Sequence, residues 1–214
     1  MKIRSWMGCL SVVALGTAGP ALAIEATRVG EALGFEEEKT RVGLDVHAGL
    51  GSFTGTLGER TGTGPLLGIA AGAQPWRLLG IELGYEGQRL PIEDPRVGDG
   101  EAMWRHNASL LAKAGPLLLE DRLRPFVGAG LGLSYLNASD GATDTGLYAN
   151  NDIIREVPLA AGVDYRFGEQ RNIFAGARAT YRLVYGEEFV DAATVVGPAK
   201  GNLLNFSATV GGRF

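Results

Sequence analysis

From Leu204 to Phe214 the chain changes face at every residue. Leu204, Phe206, Ala208, Val210, Gly212 and Phe214 share one side, and Asn205, Ser207, Thr209, Gly211 and Arg213 share the other, because successive strand side chains point to opposite faces. A strand apolar along one face and polar along the other suits a closed sheet with lipid outside and a polar interior. Seven more segments repeat the pattern, at 41–53, 66–73, 78–88, 102–114, 126–136, 158–167 and 172–186. Each is about as long as the 9 to 11 residues a tilted membrane strand needs. The expected fold is therefore all-β, an eight-stranded antiparallel transmembrane β-barrel built as an up-and-down meander over 41–214.

The faces sort by charge. Inner rows carry Asp45, His47, Glu82, Glu86, Arg105, Lys113, Asp164, Arg166, Arg178, Arg182 and Arg213. Within these spans no Asp, Glu, Lys or Arg falls on an outer row, where a mid-membrane Arg or Lys costs roughly 2 to 4 kcal/mol. Tyr85, Trp104, Tyr135 and Tyr185 gather toward one rim, and Trp76, Tyr165, Phe167 and Phe214 toward the other, the two girdles that bilayer interfaces select. Pro158 has no N–H to give to a ladder, so it is expected near the outer rim, leaving 159–167 to cross. Connections 74–77 and 168–171 are short and read as periplasmic turns, whereas 54–63, 91–101, 137–151 and 187–201 are long and read as outer loops. The stretch 115–124 is long for a periplasmic turn, and its Leu117-Leu118-Leu119 run is expected to pack at the membrane surface.

Lys2 and Arg4 precede an apolar run over 7–15, and Ala21-Leu22-Ala23 supplies small residues for a signal peptidase. Residues 1–23 are expected to be an export signal and 24–40, with Glu36-Glu37-Glu38, a periplasmic N-terminal tail. Losing Lys2 and Arg4 with no acid moves the formal charge from -4 to -6. Cys9 would leave with the signal, so no disulfide or thiolate chemistry is expected. Basic residues scattered singly in an acidic chain give no footprint for nucleic acid. The chain has 33 glycines, well above the average of about 7%, and 16 of them are spread through the alternating segments without forming a linker.

The eight segments, the stretch Arg124-Pro125-Phe126-Val127-Gly128-Ala129-Gly130-Leu131-Gly132-Leu133, the stretch Ala161-Gly162-Val163-Asp164-Tyr165-Arg166-Phe167 and the terminal Phe resemble the small OmpA/OmpX-like outer-membrane β-barrel proteins. The resemblance covers 41–214. It implies location in a Gram-negative-type outer membrane, a monomer, and contact with outer-membrane lipids or lipopolysaccharide. It further implies that Phe206, Val210 and Phe214 form a signal read by the barrel assembly machinery. It does not specify a role, because one fold hosts many functions.

Gly128-Ala129-Gly130-Leu131-Gly132 lacks the later glycine and the following helix of a dinucleotide loop. Its glycines are expected to clear space for large inward groups. Asn150-Asn151-Asp152 and the 140–144 cluster lack the alternating ligands of a calcium loop, so no metal or cofactor is expected. Lipid A deacylases of this architecture place His and Ser two residues apart on one strand face. Here His106 and Ser109 are three apart and face opposite sides, and His47 points inward without a matching nucleophile. The charged candidates are Asp45, Glu82, Glu86, Arg105, Asp164, Arg178 and Arg182, which can pair across a lumen that eight strands leave just wide enough for side chains. The expected function is a noncatalytic barrel whose outer loops serve a structural or surface-binding role. A lipid-modifying enzyme and a narrow gated pore stay open as alternatives.

Overall fold

The structure, a computed structural model, describes residues 42–145, 148, 151–185 and 201–214. The expected export signal 1–23 and tail 24–40 lie outside the described residues, as does most of the outer loop expected at 187–201. Eight strands succeed one another in order: β1 (Val42–Phe53), β2 (Gly64–Ala73), β3 (Leu79–Pro91), β4 (Ala102–Ala114), β5 (Leu123–Ala138), β6 (Asn151–Phe167), β7 (Ile173–Tyr185) and β8 (Leu203–Arg213). Each pairs antiparallel with the next, and β8 returns to β1 to close the barrel. Two single-turn helices, α1 (Gly55–Gly58) and α2 (Asp140–Thr143), sit in outer loops.

The register fixes the size of the interior. A line of ladder partners from Val42 runs through Ala73, Ile81, Ala112, Ala129, Leu159, Tyr181 and Leu204 and meets β1 again at Ser52, a stagger of ten residues. With a rise of about 3.3 Å and strands about 4.8 Å apart, that stagger tilts the strands by about 40° and puts the backbone about 8 Å from the axis. Such a lumen holds side chains and little else.

Burial is inverted relative to a water-soluble barrel. Leu67, Ile69, Leu83, Val127, Leu131 and Ile173 point outward and are exposed, whereas Asp45, Glu82, Glu86, Arg105, Asp164 and Arg182 are buried. The eight girdle aromatics are all exposed on the outer surface. Glycines on the inner rows make room for bulk: a Cβ at Gly132 would come within 3.1 Å of Asn107 Nδ2, and one at Gly128 within 3.3 Å of Leu111 Cγ. A side chain at Gly162 would strike the Phe126 ring, and one at Gly211 the Phe174 ring.

Two features depart from the expectation. β5 extends from Leu123 to Ala138, and β6 begins at Asn151 rather than at Pro158. Pro158 is therefore not at the rim. It faces the lumen within β6, opposite Arg182 of β7. On the β5 side the ladder runs through Ala129–Leu159 and resumes at Gly132–Glu156 in the same register. The strand tolerates a residue that cannot donate by interrupting the ladder over one short stretch rather than by ending. Three left-handed residues, Leu119, Glu120 and Asp121 (φ 50, 54 and 65°), shape the β4–β5 turn. They leave Leu118 and Leu119 exposed at the periplasmic edge, while Asp121 reaches Arg77 at 3.3 Å and Arg171 at 3.6 Å, tying the three periplasmic turns together.

Phe206, Val210 and Phe214 all lie on the outer surface, and the Phe214 N–H donates to the Val42 carbonyl across the closing seam at 2.9 Å. Deleting Phe214 is expected to lower the amount of heat-resistant, membrane-inserted barrel and leave unfolded chain in the periplasm, as read by gel mobility of fractionated cells. Undiminished folded product would refute an assembly role for this residue.

Candidate functional site: the lumen and its outer cap

The lumen is filled in three storeys. Nearest the periplasm, Gln74 Oε1 accepts hydrogen bonds from Arg124 Nη1 (3.0 Å) and Arg166 Nη2 (3.1 Å). A cavity of about 40 Å³ above them is lined by Asp45, Glu82, Lys113, Arg124, Asp164 and Arg213, among others. It has room for about one water.

In the middle storey Arg178 donates to both Glu82 oxygens, at 2.7 and 3.0 Å. Lys113 pairs with the same carboxylate from the β4 side. The ammonium of Lys113 lies 4.6 Å from the Phe126 ring centroid and the Arg178 guanidinium 5.7 Å from it, so one inward aromatic serves two cations.

The upper storey is the densest. Arg105, 0% exposed, donates to Glu156 through Nε (2.9 Å) and Nη2 (2.6 Å), and to Glu86 through Nη1 (2.7 Å). Arg182 donates to Glu156, Glu86 and the side-chain Oδ1 of Asn107 at 3.1 to 3.3 Å. Ser134 donates to Glu156 at 2.6 Å and Asn205 to Glu86 at 2.9 Å. His47 links the storeys, with Nδ1 3.5 Å from Asp45 and Nε2 3.7 Å from Glu86.

Above this polar stack the inner rows become apolar. Phe53, Leu90, Met103, Leu136, Ile154 and Leu203 converge from the strands, and Leu57, Ile92, Val97, Ala142 and Tyr148 descend from the outer loops to form one buried cluster. Inner rows that carry charge and glycine lower down thus end in a hydrophobic plug at the mouth. The loops above it are stitched together. The Glu93 N–H donates to the Arg60 carbonyl at 2.8 Å, Thr61 Oγ1 to the Leu57 carbonyl at 2.9 Å, and the Ala102 N–H to Ser139 Oγ at 3.1 Å. Hydrogen bonds from Arg96 hold the Asp94 carboxyl at about 2, below its usual range. Burial in the plug pushes the Tyr148 phenol up to about 12, which keeps it neutral.

Of the residues singled out by sequence, Glu82 meets Arg178, and Glu86 meets both Arg105 and Arg182. Asp45 meets only His47, and Asp164 has no ion-pair partner within 4.0 Å among the described residues. Sequence reasoning missed Glu156, the carboxylate at the centre of the upper storey. Its signal was parity: Glu156 continues the inward row of Asp164 and Arg166, but lies beyond Pro158, where the strand was expected to stop. His106 lies on the outer surface, its Nδ1 2.7 Å from the Tyr85 hydroxyl, and Ser109 faces inward on the same strand.

A closed ladder, an apolar exterior between two aromatic girdles and a charged interior define a transmembrane β-barrel. The fold is that of the small eight-stranded outer-membrane barrels. Neisserial surface protein A is similar in structure with a TM-score of 0.59 and 15% identity, over 83% of this chain and 100% of that one. Ail of Yersinia pestis, in complex with the heparin analogue sucrose octasulfate, is similar with a TM-score of 0.52 and 10% identity, over 83% and 100%. The outer membrane enzyme PagL is matched at a TM-score of 0.39 and 15% identity, over 78% and 97%, too remote to bear on chemistry. No protein-family model matches the sequence, and no curated protein is significantly similar to it.

Removing one member of a buried charge network leaves its partners uncompensated, at roughly 3 to 5 kcal/mol. Arg105→Ala, which leaves Glu86 and Glu156 to share the single cation Arg182, is expected to lower unfolding free energy in lipid vesicles by about that amount. A loss below about 1 kcal/mol would mean that water enters and solvates the pair. In planar bilayers the unaltered protein is expected to pass little steady current, with leak increased by Arg178→Ala.

Proposed function

We propose that the protein is a noncatalytic outer-membrane barrel that holds its outer loops as a rigid recognition surface. The observation that carries this reading is the apolar plug: three outer connections contribute side chains to one core over a filled lumen. That arrangement disfavours a pore, since a permeant ion would have to cross a hydrophobic seal and then break ion pairs. It also gives the loops what binding needs, a surface ordered before the partner arrives.

The charge of that surface points to the partner's chemistry. The outer connections 54–63, 92–101, 139–150 and 186–202 contain ten acidic and three basic residues, a net charge of -7. The periplasmic connections 74–78, 115–122 and 168–172 contain three of each. An acidic face steers cationic partners and repels polyanions, so the sulfated ligand in the Ail complex suits Ail and not this chain. The partner is a basic protein or peptide surface.

The candidate pair for the lipid-modifying alternative is split between two faces. His106 bonds Tyr85 on the lipid side while Ser109 faces the lumen, and a strand keeps such a pair on opposite faces.

Proteoliposomes carrying the protein are expected to bind immobilised poly-lysine, to release it as salt shortens the Debye length below about 8 Å, and to ignore heparin. Neutralising Glu93, Asp99, Asp140 and Asp144 to their amides should abolish that binding without loss of the heat-resistant barrel. Heparin binding equal to poly-lysine binding would overturn the assignment. Lipid A from cells with and without the protein should have identical mass spectra, and a mass change dependent on His106 or His47 would establish the enzyme instead.

A further inference from the structure

Of the tyrosines in the outer girdle, Tyr85 differs from Tyr135 and Tyr185. Among the described residues the hydroxyls of Tyr135 and Tyr185 have no hydrogen-bond partner, as suits interfacial tyrosines that turn a polar tip to water. The Tyr85 hydroxyl instead lies 2.7 Å from His106 Nδ1 on the lipid side of the wall. The two rings are stacked, with centroids 6.2 Å apart and planes 24° apart.

The register builds this pair. Tyr85 faces Ala108 across the β3–β4 ladder, and Gly87 faces His106. Two rings therefore occupy one diagonal of a four-residue patch, and two small residues occupy the other. Such a diagonal spans about 7 to 8 Å, within reach of aromatic side chains, and Gly87 and Ala108 put nothing between them. Tyr85 is 48% exposed, and His106 is exposed as well. A groove of about 610 Å³, lined by Leu44, Val46, Ile69, Leu83 and Ala108 among others, runs along the wall to the Tyr85 ring. Membrane hydrocarbon thus reaches the phenol directly.

A phenol facing hydrocarbon gives up an electron only if its proton leaves with it. An oxidised phenol that kept the proton would be a cation, and a cation in hydrocarbon is costly. His106 removes that obstacle. With the imidazole proton on Nε2, Nδ1 accepts the Tyr85 hydrogen bond and is a base within reach of the phenolic proton. Tyr135, the β5 ladder partner of His106, makes no such bond and serves as an internal comparison.

We propose that Tyr85 and His106 form a radical trap in the outer wall that quenches peroxyl radicals carried on acyl chains. One electron passes from the phenol to the peroxyl radical, the phenolic O–H bond breaks, and the proton crosses to His106 Nδ1. The imidazolium then releases its Nε2 proton to the peroxide anion, which becomes a hydroperoxide. A neutral tyrosyl radical remains, hydrogen-bonded to the Nδ1–H of a neutral His106. A second peroxyl radical combines with the tyrosyl ring through a new C–O bond, and no radical is left. The peroxyl radical is reduced and Tyr85 is oxidised. The site is consumed rather than turned over, so the barrel stays noncatalytic, and the trap is independent of any partner of the loops.

The test places the folded protein in vesicles of polyunsaturated phosphatidylcholine and starts oxygen uptake with a lipid-soluble azo initiator. The unaltered protein is expected to delay oxygen uptake and to give a tyrosyl signal in electron paramagnetic resonance, coupled to an isotopically labelled histidine nitrogen. Tyr85→Phe should abolish both. His106→Leu should slow radical transfer about a hundredfold, the low end of what a positioned base contributes. His106→Gln, whose amide oxygen accepts the hydrogen bond but does not take the proton, should be slowed alike, which separates proton acceptance from mere positioning. Tyr135→Phe should match the unaltered protein. Gel mobility verifies the heat-resistant barrel in each case, and Tyr85→Phe, which removes a single oxygen from the lipid face, decides alone if a His106 variant does not fold. A delay unchanged by Tyr85→Phe, a delay lost equally in Tyr135→Phe, full delay in both His106 variants, or a radical without histidine coupling would each overturn the proposal.

Discussion

Hydrocarbon offers no partner to a backbone N–H or C=O, and each unpaired group costs several kcal/mol there. This requirement explains why β8 must find β1, and through that closure it dictates the shape of the interior. Eight strands with a ten-residue stagger leave about 8 Å between axis and backbone. A lumen that narrow cannot hold a continuous water column, so most inward charges are met by another side chain. The lipid-facing rows are relieved of that burden, and an Ala, Leu or Val at almost any of their positions suffices.

The lumen meets the demand by sharing. Glu86 and Glu156 each accept from Arg105 and Arg182, so four charges from β3, β4, β6 and β7 balance as one unit, and amide or hydroxyl groups of Asn107, Ser134 and Asn205 complete the carboxylates. Glu82 serves two cations in the same way lower down. Such networks need not add net stability over an apolar core. Their effect here is on register: sliding any contributing strand by one residue would turn its charge into lipid and strand its partners. Polar pairing across the barrel therefore reinforces the pattern of the ladder.

Most of this architecture was legible because period-two alternation is a direct imprint of a wall with two different solvents. Strand number and the inward placement of Asp45, Glu82, Glu86, Arg105, Arg178 and Arg182 come from parity, and the sorting of the connections into a short set and a long set comes from their lengths. The illegible part lies where the inner solvent changes. Above the charged storeys the inside is apolar, so Ile153-Ile154 and Leu203-Leu204 are apolar on both faces and the alternation disappears although the strands continue. Pro158 compounds this in β6, because a residue that cannot donate need not end a strand. Glu156 is hidden with that segment. The ion-pair partners are a separate matter: parity places a charge inside, but which carboxylate meets which arginine depends on height around a tilted sheet, which only the register supplies.

The change from polar lumen to apolar plug also explains how the molecule separates its tasks. Loops rooted in Leu57, Ile92, Val97, Ala142 and Tyr148 depend on the plug, and the plug depends on strand ends that project beyond the girdle. The ion-pair storeys lie below and share few side chains with either. Acidic loop residues outside the plug can therefore vary without disturbing the wall, and lipid-facing residues of the wall can vary without disturbing the loops. A barrel organised this way keeps its structural requirement in the interior and leaves the loop surface and the lipid-facing wall free to change independently.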